Sequence, residues 1–176
     1  VPLNRDLATE RSEAPKYTDA WKYGGGSIYA TPVVDIERNL LIFGTGNPSP
    51  QMADDSRPGD NLYTCSVVAL DADTGKLKWH YQFTPHDEFD YDAVQVPVLA
   101  DLEWQGRPRK AMLWANRNGF FYVLDAATGQ FISGKPFAAV NWATGLDASG
   151  RPIENPAARF DKTGKAFAQQ PGPGGA

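Results

Sequence analysis

Leu70-Asp71-Ala72-Asp73-Thr74-Gly75-Lys76 returns as Leu124-Asp125-Ala126-Ala127-Thr128-Gly129-Gln130, 54 residues further on (124 − 70). Each copy reads as the end of one strand, a tight turn and the start of the next. The Asp side chain bonds its own backbone in the turn, and the Gly supplies positive φ. Upstream, Thr31-Pro32-Val33-Val34 is echoed by Val96-Pro97-Val98-Leu99. A period near 50 residues with about four strands per unit is the pattern of β-propeller blades.

The apolar runs around these turns are short and rich in β-branched and aromatic residues, as in Leu40-Leu41-Ile42-Phe43, Val67-Val68-Ala69-Leu70 and Phe120-Phe121-Tyr122-Val123-Leu124. They predict strands over 27–34, 39–45, 64–70, 76–83, 94–99, 109–115, 119–125 and 130–133, and no segment carries a long helical period. The expected fold is all-β, built of four-stranded antiparallel blades. Residues 1–20 read as a surface connection or incomplete element, 21–133 as about two blades, and 134–176 as a Gly/Pro-rich excursion poor in β signal. Two blades cannot close a ring that needs about four to eight. The chain is therefore expected to be a piece of something larger, with the remaining propeller blades as its partners.

Totals exclude some classes. The 17 Lys and Arg against 21 Asp and Glu leave a formal charge of −4, unsuited to nucleic acid. No stretch approaches the roughly 20 apolar residues of a membrane span. No leader is visible at Val1, so any signal peptide is expected to be absent or already removed. Cys65 is the single cysteine, which permits no internal disulfide, and it reads as a buried strand residue.

Strand counting locates the chemistry. Along an up-and-down blade, alternate connections lie on opposite faces. The turns 35–38 and 71–75 share one face; the loops 46–63 and 84–93, with Asn116-Arg117-Asn118-Gly119 of the second unit, share the other. Asn47, Asp90, Asp92 and Arg117 should therefore converge. An amide oxygen and carboxylates suit a hard cation such as calcium, and a second carboxylate at Asp92 would favour a more highly charged ion.

Plainer readings stand beside these. Asp87, Glu88, Asp90 and Asp92 also read as a solvated acidic loop, Asn47 as a turn residue before Pro48, and Tyr29 as either a core aromatic or the floor of a pocket for a flat cofactor. His80 and His86 with one cysteine make no zinc set, and His86 reads as a hydrogen-bonding loop residue. Gly24-Gly25-Gly26 precedes a strand and lacks the Lys of a phosphate loop. Ser27 and Ser49 have no His/Asp partners that would suggest a hydrolase.

Several motifs together resemble the pyrroloquinoline-quinone (PQQ)-dependent alcohol dehydrogenases, the methanol/ethanol dehydrogenase family of quinoproteins. They are Trp21-Lys22-Tyr23-Gly24-Gly25-Gly26, Gly44-Thr45-Gly46-Asn47-Pro48, Arg57-Pro58-Gly59-Asp60-Asn61, Thr84-Pro85-His86-Asp87-Glu88-Phe89-Asp90-Tyr91-Asp92 and Asn116-Arg117-Asn118-Gly119. The Leu-Asp-Ala-x-Thr-Gly turns, with Trp79, are similar to that family's tryptophan-docking repeats between blades. The resemblance implies an eight-bladed propeller with PQQ and calcium or a lanthanide ion near its axis. By the same resemblance Asn47, Asp90 and Asp92 would be metal ligands, Asp90 also the catalytic base, and Arg117 and Tyr29 the cofactor contacts.

Asp92 matches a carboxylate of lanthanide-using members. Tyr29 and Phe89 stand where the family usually has Trp. The family's glutamate metal ligand and adjacent-cysteine disulfide fall upstream of this chain, which would cover roughly a third of the enzyme. The implied activity is oxidation of a primary alcohol substrate to an aldehyde in the bacterial periplasm, with electrons passed to a cytochrome c. The alternatives are a non-enzymatic propeller scaffold for protein binding, or an inactive fragment of the dehydrogenase.

Overall fold

The structure, a computed structural model, describes residues 24–51, 57–159, 168–172 and 175. The surface connection expected over 1–20 and the Trp21-Lys22-Tyr23 part of its motif lie outside the described residues. Two four-stranded antiparallel sheets follow one another along the chain. The first holds β1 (Val33–Asp35), β2 (Leu40–Gly44), β3 (Ser66–Asp71) and β4 (Leu77–Gln82), in that spatial order. The second holds β5 (Val98–Trp104), β6 (Arg107–Ala115), β7 (Phe120–Asp125) and β8 (Phe131–Pro136), again in sequence order. These are two up-and-down propeller blades. No helix among the described residues is long and apolar enough to cross a membrane.

Both repeat turns are built as their sequences dictate. Asp71 Oδ1 accepts from the Thr74 N–H and hydroxyl at 2.9 and 2.8 Å, and Asp125 Oδ1 accepts from the N–H groups of Ala127 and Thr128 at 3.0 Å. The bonds to Thr74 and Lys78 hold the Asp71 carboxyl at about 2, below its ordinary range. Gly129 (φ +70) does more than turn the chain: a Cβ there would stand 2.5 Å from Trp79 Cε3. The ring of Trp79, on the outer strand of the first blade, therefore lies on the turn of the second. That is the blade-to-blade docking expected of the repeat.

The blades are joined by an aromatic core. Phe83 stacks on Trp114 with ring centroids 5.0 Å apart and meets Tyr122 at 4.9 Å; Tyr81 meets Tyr122 at 5.8 Å. Loop 84–93 is drawn onto the same core by buried Phe89, Tyr91 and Ala93. It crosses β2 where Gly44 has no side chain, since a Cβ there would fall 1.7 Å from the Ala93 carbonyl oxygen.

Four local expectations are corrected. The strand expected over 94–99 lies at Val98–Trp104 instead, after Pro97, which has no N–H to give a ladder. β1 is only Val33–Asp35, not 27–34. Pro32 has no N–H for a ladder, and the preceding chain is tied instead by the Gly46 N–H donating to Ser27 O and the Gly26 N–H donating to Asn47 O, both at 2.9 Å. Cys65 is buried as expected but precedes β3, in a left-handed conformation (φ 47). The stretch 134–176, expected to be poor in strands, contains a hairpin of β9 (Ala143–Leu146) and β10 (Pro152–Glu154) and a short 3-10 turn, Pro156–Ala158. Its turn is another Asp–Gly turn: Asp147 Oδ1 accepts from Ser149 N–H at 2.8 Å and Arg151 N–H at 3.0 Å.

Candidate active site

Asp92 is the hub of the face that strand counting selected. Its Oδ1 accepts the Asn47 N–H at 2.5 Å, and its Oδ2 accepts from the Arg117 guanidinium at 2.6 Å. The Tyr29 hydroxyl is the third donor to it. The β2–β3 loop, the interblade loop and the β6–β7 turn thus meet at one buried carboxylate. Desolvation, then the hydrogen bond and charge of Asp92, push the Tyr29 phenol above its ordinary range. Gly46 allows this approach: a Cβ on it would lie 3.0 Å from Asp92 Oδ1 and 3.3 Å from Tyr29 Cε1.

Each predicted residue has a definite place. Arg117 stands at the tip of the β6–β7 turn, which Asn118 fastens: Asn118 Oδ1 accepts the Phe120 N–H at 3.1 Å and its Nδ2 donates to Phe83 O at 3.1 Å. Asn47 Nδ2 donates to Pro48 O at 2.9 Å, which directs Oδ1 the other way. Asp90 is half-buried in a left-handed conformation (φ 67), which Asp tolerates better than most residues. No hydrogen bond reaches its carboxylate from any described residue. Tyr29 is no core aromatic; it is 60% exposed and lies outside β1, so its ring is accessible beside Asp92.

The acidic loop is not a solvated one. Asp87 and Glu88 are fully buried, with Glu88 paired to Arg159 at 3.2 Å. His86 Nδ1 makes the expected loop hydrogen bond, to Gly59 O at 2.5 Å. The residues from 141 onward press on this loop and on loop 46–63, which sequence reasoning missed. Arg151 grips Asp60 with two bonds of 2.7 and 2.8 Å, Trp142 packs on Phe89 and Tyr91 with centroids at 5.4 Å, and Tyr91 donates its hydroxyl proton to Pro171 O at 2.6 Å. Among the described residues no group of three or more His, Cys, Asp and Glu is arranged to hold a metal. The oxygen donors here are two carboxylates and an amide.

The family profile described as the PQQ glucose/ethanol/alcohol dehydrogenase β-propeller domain matches residues 5–140. The chain belongs to the PQQ-dependent alcohol dehydrogenase family. Among its relatives, the quinohemoprotein alcohol dehydrogenase of Comamonas testosteroni is 50% identical over 155 residues, which are 87% of this chain and 22% of that protein. The quinoprotein alcohol dehydrogenase PedH of Pseudomonas putida is 50% identical over 142 residues, 80% of this chain and 24% of the relative. The crystal structure of the Comamonas testosteroni enzyme superposes with a TM-score of 0.81 at 46% identity, covering 90% of this chain and 24% of that one. A europium-containing methanol dehydrogenase superposes with a TM-score of 0.85 at 38% identity, covering 89% of this chain and 27% of that one. The chain thus spans 22–24% of the length of these two relatives, less than the third expected from its motifs.

Proposed function

We propose that the whole protein of which this chain is part oxidises a primary alcohol to an aldehyde, using PQQ and a hard metal ion and passing electrons to a cytochrome c in the bacterial periplasm. The observation that carries the reading is the meeting of three loops at Asp92, two residues after Asp90, whose carboxylate accepts no hydrogen bond from the described residues, in a chain of this family. A scaffold needs the blade-docking turns but has no use for this assembly of polar side chains.

The donor chemistry fits the two groups. Asn47 Oδ1 and the carboxylates of Asp90 and Asp92 are hard oxygen donors, the kind calcium and other hard cations take. The two Asp92 oxygens offer about four acceptor sites, of which Asn47, Arg117 and Tyr29 take three, so one is left for a cation without releasing any of these donors. The Arg117 guanidinium is a fixed fork of donors for a carboxylate or carbonyl oxygen, and the Tyr29 ring offers an exposed face for a flat molecule.

When bound, PQQ supplies acceptance of two electrons and the metal supplies Lewis-acid polarisation. The chain's residues do the rest. Asp90 takes the alcohol hydroxyl proton onto a carboxylate oxygen as general base. Arg117 and Tyr29 orient the quinone, while Asp92 holds Arg117 in place at 2.6 Å. The test is Asp90→Asn in the full-length, PQQ- and metal-loaded protein. Alcohol-dependent dye reduction should fall by about 10²–10⁴-fold, the usual contribution of a general base, with the melting temperature unchanged. Retained turnover would remove Asp90 from the mechanism.

A further inference from the structure

We infer that Asp87 is a positioning residue, one whose carboxylate fixes the backbone on both sides of Asp90 and so aims the base. This rests on the reading of Asp90 given above. Asp87 is fully buried, and its two oxygens are divided between two backbone donors: Oδ1 accepts the Phe89 N–H and Oδ2 the Tyr91 N–H, each at 3.1 Å. The residue enclosed by those two bonds is Asp90, at φ 67. A left-handed conformation at a residue other than Gly persists only where its surroundings over-determine it, and the Asp87 clasp supplies that constraint.

The rest of the loop is anchored where the clasp needs it. Arg57 donates to the Asp87 carbonyl at 2.5 Å, fixing the backbone from which the side chain reaches. The Cys65 thiol, itself buried, hydrogen-bonds the same carboxylate. Phe89 and Tyr91 turn their rings into the core on either side. The peptide from 87 to 91 is thereby held at both ends and pinned in its middle, with the Asp90 side chain left free of hydrogen bonds from the described residues.

The chemistry calls for a carboxylate. An Asn of the same shape has one acceptor oxygen and one NH₂. It can satisfy one of the two N–H groups, and it sets donor against donor at the other. Asp87→Asn therefore opens half of the clasp while leaving the volume of the site unchanged.

The experiment compares full-length wild type, Asp87→Asn and Tyr81→Phe, each loaded with PQQ and metal. Tyr81→Phe removes a buried hydroxyl bonded to Gly150 O at 2.8 Å and serves as a destabilised control away from the reacting groups. Steady-state kinetics are read together with amide hydrogen exchange of the peptide covering 88–92. Asp87→Asn should lower kcat by about 10²-fold, the scale of a misplacement of about 1 Å, with KM for the alcohol within about two-fold, and should lose protection at the Phe89 and Tyr91 amides. Tyr81→Phe should keep kcat.

Lost protection with wild-type kcat would overturn the positioning role while leaving the dehydrogenase reading intact. Failure of the wild type to oxidise any alcohol would overturn the dehydrogenase reading, and with it the catalytic purpose of the clasp. Should Asp87→Asn not fold, exchange of the wild type alone decides: Phe89 and Tyr91 amides as slow as those of β3 support the clasp, and fast exchange overturns it.

Discussion

Asp87 stores a cost at the site. Burial pushes its carboxyl up to about 6 from an ordinary 3.8, against the opposing pull of the Phe89 and Tyr91 N–H groups. A carboxyl raised in the folded state favours folding most when protonated. Its contribution is fully present below about pH 4 and is lost as pH rises through about 6, a change of about 3 kcal/mol for a shift of about two units. An Asn at 87 does not titrate. The stability of wild type relative to Asp87→Asn should therefore fall by up to about 3 kcal/mol between pH 4 and pH 7, read from denaturant midpoints at each pH. A pH-independent difference would contradict the buried, ionising Asp87. Single residues were unevenly legible in the sequence. Asn47, Asp92 and Arg117 could be brought together by counting strands, because connection polarity is fixed by topology. The burial of Asp87 and Glu88 could not, because four acids in six residues look the same whether they face water or the backbone of their own loop.

At the scale of elements, the docking of Trp79 on the second blade's turn is open to a double-mutant cycle. Gly129→Ala adds a methyl at positive φ and drives it into the indole, since the Cβ would stand 2.5 Å from Cε3. The left-handed conformation alone costs about 1–2 kcal/mol for a residue with a Cβ, and the clash adds to it. In a Trp79→Ala background only the conformational part remains. The two substitutions should thus be less than additive by about 1 kcal/mol in urea unfolding; strict additivity would mean that the ring and the turn do not touch. Both Asp–Gly turns and most of the blade strands were readable because period-two patterning and turn chemistry are local, but β5 begins at Val98, after Pro97, rather than at 94. β1 came out shorter than its apolar run because Pro32 cannot donate to a ladder and the glycine-rich segment before it bonds to Gly46 and Asn47 instead. The β9–β10 hairpin was legible only in Asp147-Ala148-Ser149-Gly150, a turn of the repeat's type without an apolar run on either side.

At the scale of the whole molecule, the hairpin and the residues after it brace the loop that carries Asp90 and Asp92. Arg151 on Asp60, Arg159 on Glu88 and Trp142 against Phe89 and Tyr91 join 141–159 to both long loops of the first blade's polar face. These are contacts far apart in sequence, between residues that carry no periodic signal, so nothing local foretold them. They make the site a joint product of two blades and an excursion, and they explain why an apparently linker-like composition packs so closely. The central claim concerns the complete protein. Its most direct test is the quinone and metal content of the purified full-length protein, by mass spectrometry of the intact complex and elemental analysis after reconstitution with PQQ and either calcium or a lanthanide. The account predicts one PQQ and one hard metal ion per chain, the lanthanide holding where Asp92 serves as a ligand. A protein that binds neither quinone nor metal after reconstitution would contradict it.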